Sequence, residues 1–74
     1  MKNHKLTVDV AKNIFRMMDM FHINECYSDN SKIGFKKDND IYTISDLHNI
    51  ELTGNKREVY EQLKKSYLYG QSMI

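Results

Sequence analysis

The sequence predicts a small α+β domain: an N-terminal helix, an antiparallel β-hairpin or three-stranded meander, and a C-terminal helix, with both helices on one face of the sheet. Three patterns carry this expectation. Apolar residues recur every three or four positions near residues 7–22 and again near 56–69. Between those stretches Ile33 and Phe35, then Tyr42 and Ile44, occupy alternating positions as in strands. The two alternating runs flank Asp38-Asn39, a pair that tolerates the backbone of a tight turn.

Thr7 suits the N-cap of the first helix, and Asp9 sits in its first turn, where the helix dipole favours an acid. Leu6 precedes the cap and can touch Ala11 as a hydrophobic staple does. Val10, Ile14, Met17, Met18 and Phe21 form the expected buried stripe, and Asn24 is the expected stop. Phe15 and Met20 widen the apolar surface beyond what a two-layer domain needs.

In the hairpin, placing Asp38-Asn39 at the tip sets Lys37 opposite Asp40, Phe35 opposite Tyr42 and Ile33 opposite Ile44. Glu25 to Ser28 can add a third strand at one edge, with Asp29-Asn30-Ser31 as its turn. Residues 45–55 read as irregular: Ser45 or Asp46 can cap a short turn around Leu47 and His48, and Ile50 and Leu52 alternate as in a short strand. The last helix is expected from Lys56 to Tyr69. Asn55 and Glu58 have the spacing of a capping box, and Val59, Tyr60, Leu63, Tyr67 and Leu68 form its stripe. Glu61 is spaced to pair with Lys65, Gly70 suits the C-cap, and Gln71 to Ile74 are expected to fray. The predicted core comprises Ile14, Phe21, Phe35, Ile44, Val59 and Leu63.

Seventy-four residues make one domain, residues 1–74, whose small core leaves its stability marginal. Cys26 is the only cysteine, so no disulfide can form within the chain, and a lone thiol fits a reducing compartment. Association with a partner or with itself is the remaining way to offset the small core. No segment has the form of a signal peptide or a membrane span, so a soluble cytoplasmic protein without membrane contact is expected. Eleven basic and ten acidic side chains give a net charge of +1, with no global pull toward nucleic acid. Frequent Lys and Asn, with no Pro or Trp, suit an AT-rich genome such as that of many low-GC bacteria and their phages.

Four constellations bear on function. His22 and Cys26, with His48 as a third candidate, are one loose ligand pair where zinc sites use two, so no metal or cofactor is expected. The same pair lacks an orienting carboxylate and an oxyanion hole at recognisable spacing, so no enzyme is expected. Lys32, Lys36 and Lys37 on the hairpin, with Lys56 and Arg57 followed by Lys64 and Lys65 on the last helix, make nucleic-acid binding the alternative. The surplus apolar surface around Phe15, Met18 and Met20 points to a protein partner or self-association, and methionine is frequent at such surfaces. The leading expectation is therefore a small non-enzymatic protein-binding module, of the kind phages and mobile elements use to inhibit or redirect a host protein.

The stretch from Leu52 through Thr53, Gly54 and Asn55 to Lys65 resembles the tail of winged-helix regulators, where a wing strand ends in Leu-Thr and a capped helix follows. That resemblance implies a DNA-binding transcriptional regulator. It covers fourteen residues, and only one helix precedes the hairpin, whereas a winged helix has three before its wing.

Overall fold

In the computed structural model, which describes residues 5–28, 33–46 and 50–71, the first helix begins where a threonine can satisfy its free amide groups. The Thr7 hydroxyl accepts the Val10 N–H at 3.3 Å, and α1 runs over Val8–Phe21. It stops at His22, two residues before the expected Asn24. His22 takes the left-handed conformation (φ 56°), and its N–H and that of Ile23 both donate to the Met18 carbonyl. That arrangement caps the Met18 carbonyl without a glycine.

A four-stranded antiparallel sheet follows: β1 (Glu25–Tyr27), β2 (Ile33–Asp38), β3 (Ile41–Asp46) and β4 (Glu51–Gly54), in that spatial order. The expected third strand is β1, and a fourth forms where Ile50 and Leu52 alternate. The expected turns at Asp29 to Ser31 and around Leu47 and His48 lie outside the described residues.

The hairpin register differs from the expected one. The tip is Asn39-Asp40, with Asp38 opposite Ile41, Lys37 opposite Tyr42 and Phe35 opposite Ile44. Asn39 takes the positive φ (56°) that the first central residue of the turn requires. Moving the tip by one residue displaces the partners by two, so each side chain keeps its face. Phe35, Tyr42 and Ile44 therefore stay on the inner face with Ile33 and Leu52, and Ile41 points outward.

The final helix starts with the expected capping box. The Asn55 side chain accepts the Glu58 N–H, and the Glu58 carboxylate accepts the Asn55 N–H, both at 2.9 Å. α2 spans Lys56–Lys64, short of the expected Tyr69. The Ser66 hydroxyl accepts the Leu68 N–H at 2.9 Å, and residues 66–70 turn instead of continuing the helix. Lys64 rather than Lys65 pairs with Glu61. Beyond the turn the chain is tied down: Leu6 N–H donates to the Gln71 carbonyl and Gly70 N–H to the Leu6 carbonyl.

Both helices lie against the inner sheet face, α1 toward β2 and α2 over β3 and β4. The core comprises Leu6, Ala11, Phe15 and Met18, the inner-face strand residues, and Val59, Leu63 and Leu68. Of the predicted core, Phe35, Ile44, Val59 and Leu63 are fully buried, Ile14 is half-buried, and Phe21 is exposed. Tyr60 is half-buried and Tyr67 exposed, so the α2 stripe is narrower than expected. No helix among the described residues is long and apolar enough to cross a membrane. The strand-to-capped-helix junction resembled in winged-helix tails is present at β4–α2, but among the described residues a single helix precedes the sheet. The two consecutive helices of a helix-turn-helix do not occur among the described residues.

Candidate functional site

The largest departure from the sequence reading is the rotation of α1. It is turned by nearly one residue step, about 100°, so that Ala11, Phe15 and Met18 face the sheet. Phe15 and Met18, expected on the exposed protein-binding flank, are both 0% exposed, whereas Met20 is 64% exposed. The physical reason is visible around Phe15. Its ring meets Tyr42 at 4.8 Å and Phe35 at 5.9 Å, both edge-on, and Tyr60 at 6.2 Å. Leu6, fully buried beside Ala11, fixes the entry of the helix.

Apart from Met18, the expected stripe is consequently the flank that the fold leaves uncovered. Met17 (36%), Met20 (64%) and Phe21 (65%) are exposed, and Val10 and Ile14 are half-buried beside them. Their spacing places Ile14, Met17 and Phe21 along one line of the helix, with Met20 adjacent. Of the side chains expected on the exposed flank only Met20 is exposed, and Ile14, Met17 and Phe21 form the rest of the apolar surface.

The opposite flank of α1 is polar and faces α2. Asp19 joins three elements there. Its carboxylate accepts Lys37 Nζ from β2 at 2.8 Å, Lys56 Nζ from α2 at 2.6 Å and the Tyr42 hydroxyl from β3 at 2.8 Å. Lys56 also lies 5.2 Å from the centre of the Tyr42 ring. The Lys37 bond, then the Lys56 bond, hold the Asp19 carboxyl well below the ordinary carboxylate range. The same bonds push both ammonium groups up. Burial, and then the bond to Asp19, raise the Tyr42 phenol. Each charge here has a partner, so this cluster reads as a structural hub.

Next to the hub, α1 and α2 enclose an open groove of about 460 Å³, lined by Lys12, Lys56, Arg57, Tyr60, Glu61 and Lys64, with Val8 at one end. Lys12 lies 5.7 Å from the centre of the Tyr60 ring. Burial raises the Tyr60 phenol. The Glu61 carboxylate is bonded to Lys64 at 3.4 Å.

The expected nucleic-acid residues do not form one patch. Lys36 points to the outer sheet face, Lys37 points inward onto Asp19, and Lys32 lies outside the described residues. Lys56, Arg57 and Lys64 of the expected basic helix face meet in the groove with Lys12, which the sequence does not single out. The i, i+4 and i, i+8 spacing of Lys56, Tyr60 and Lys64 was the signal for their common face. Cys26 is half-buried on the edge strand and His22 is exposed at the helix end, while His48 lies outside the described residues. Among the described residues, no three His, Cys, Asp or Glu side chains gather as metal ligands. Compared with known proteins, the chain matches no protein-family model, no curated protein and no solved structure.

Proposed function

We propose that this chain is a non-enzymatic protein-binding module that seats the exposed flank of α1 in an apolar groove of its partner. The carrying observation is the row of Ile14, Met17 and Phe21, with Met20 beside it, left open on a helix whose other side is already fixed in the core. Anchors at i, i+3 and i+7 are the pattern by which an amphipathic helix is held in a groove. Contiguous exposed apolar side chains favour association, and the two methionines can adapt to the shape they meet. The role we assign to this chain is inhibition or regulation of a host protein, of the kind phages and mobile elements use; the Lys- and Asn-rich composition bears on origin alone.

The test compares the wild type with Phe21→Asp and Met20→Asp in affinity capture from extracts of the host cell, with nuclease added. A partner held by the wild type and lost by both variants, at unchanged thermal midpoint, supports the reading. Identical captured proteins for all three refute it. Light scattering of the isolated protein distinguishes a partner from a second copy: a concentration-dependent mass that Phe21→Asp abolishes identifies self-association.

A further inference from the structure

We infer that the groove between α1 and α2 is a second binding surface, on the flank of α1 opposite the apolar row, and that its ligand is single-stranded nucleic acid. Charge is concentrated there. The groove holds four cations against one carboxylate, in a chain that totals eleven against ten. With Asp19, which holds Lys56, counted in, the groove keeps a net charge of +2 while the rest of the molecule totals −1. Glu61 is occupied by Lys64, and Lys56 is held by Asp19, which fixes its position. Lys12 and Arg57 have no carboxylate partner among the described residues and are free to meet an anion.

The layout fits a strand of phosphates better than one small anion. Lys56 and Lys64 are eight residues apart on α2, about 12 Å at 1.5 Å per residue. The groove is open along its length, and a single phosphate would need cations converging on one point. Tyr60 lies between them in sequence, with its ring partly accessible in the groove and Lys12 above it. A positively charged groove that tracks the backbone, with an aromatic ring on which a base can stack, is how single strands are held without sequence preference. When Lys12 turns to a phosphate, the face of the Tyr60 ring becomes available to a base.

The test is fluorescence anisotropy of a labelled twelve-nucleotide oligothymidine with the intact protein at low salt. Binding should weaken with salt with a slope of about −2 to −3 on logarithmic axes, as expected for three or four phosphates on a single strand. Lys12→Glu and Arg57→Glu should each weaken binding by about ten-fold or more, through loss of a phosphate contact and added repulsion. Lys65→Glu makes the same charge change at the C-cap of α2, outside the groove, and should cost under about three-fold, the effect of net charge alone. Tyr60→Leu retains apolar bulk and should cost about five-fold or more, the low end of base stacking. Thermal midpoints verify that each variant is folded. No binding at low salt overturns the proposal, as do equal losses for Lys65→Glu and Arg57→Glu. Tighter binding of a duplex or of polyglutamate than of the single strand refutes the assigned ligand. None of these variants touches Met20 or Phe21, so failure here leaves the protein-binding reading standing.

Discussion

Two phenylalanines six residues apart on one helix allow a direct test of the rotation of α1. Phe15 is fully buried and meets three aromatic rings, whereas Phe21 keeps about two-thirds of its surface in water. Truncating a buried phenylalanine to alanine costs about 3–5 kcal/mol, because the removed contacts leave a cavity. The three ring pairs place Phe15→Ala toward the upper end of that range. Phe21 buries roughly a third of its side chain, so Phe21→Ala should cost under about 1 kcal/mol. At ~0.05–0.15 kcal/mol per residue, a 74-residue chain has a total stability of about 4–11 kcal/mol. Urea titration followed by circular dichroism reads both variants. With a slope of about 1 kcal/mol per molar urea for a domain this small, Phe15→Ala should lower the midpoint by about 3–5 M, which at the low end of that stability range leaves the chain largely unfolded in buffer. Phe21→Ala should move the midpoint by less than about 1 M. Equal costs, or a larger cost at Phe21, would mean that the helix sits with its other stripe inward and that the proposed binding row is core.

The remaining predictions concern the hub and the β4–α2 junction. Asp19→Asn should destabilise the protein by about 1–2 kcal/mol at neutral pH, a modest value for charge-assisted bonds because water reaches the site. The native carboxyl is held below the usual range, so the unfolded chain takes up the proton first as pH falls. This contribution is complete above about pH 5 and is lost as acid passes through the unfolded value near 4 toward the lower native one. Urea midpoints should therefore converge for the wild type and Asp19→Asn in acid, and parallel curves would refute the linkage. Gly54 has a φ of 142°, and a Cβ there would stand 2.9 Å from the Glu58 Cβ and 2.8 Å from its carboxylate. Gly54→Ala should cost about 1–3 kcal/mol through backbone strain and a disturbed capping box. Gly70→Ala, where φ is 83° but the space is open, should lower the thermal midpoint less.

Local signals in the sequence located the elements, and long-range contacts decided how they face one another. Thr7 and the Asn55–Glu58 pair mark helix starts that depend only on neighbouring residues, and both act as expected. The α1 stripe was ambiguous because Val10, Ile14, Met17 and Phe21 repeat as regularly as Ala11, Phe15 and Met18, and the small Ala11 adds little to a hydrophobicity pattern. The choice between them is made by Leu6, Tyr42 and Tyr60, whose contacts with the helix no periodicity reports. The hairpin tip was ambiguous for a related reason. Asp38-Asn39 and Asn39-Asp40 are both tolerant pairs, and either keeps Phe35 and Ile44 on one face. The observed register sets Lys37 opposite Tyr42, so that both reach the Asp19 carboxylate. The basic groove was half legible: Lys56 and Arg57 were singled out, but Lys12 reaches them only once α1 and α2 pack together.

The bonds at Asp19 also have a place in time. Its partners lie eighteen, twenty-three and thirty-seven residues along the chain, on β2, β3 and α2. No two neighbouring elements can assemble this junction, so it closes only after both helices have docked on the hairpin. Interactions absent from the transition state slow unfolding and leave the folding rate almost unchanged. A latch of this kind predicts that Asp19→Asn raises the unfolding rate more than it lowers the folding rate, which folding and unfolding kinetics in urea would read.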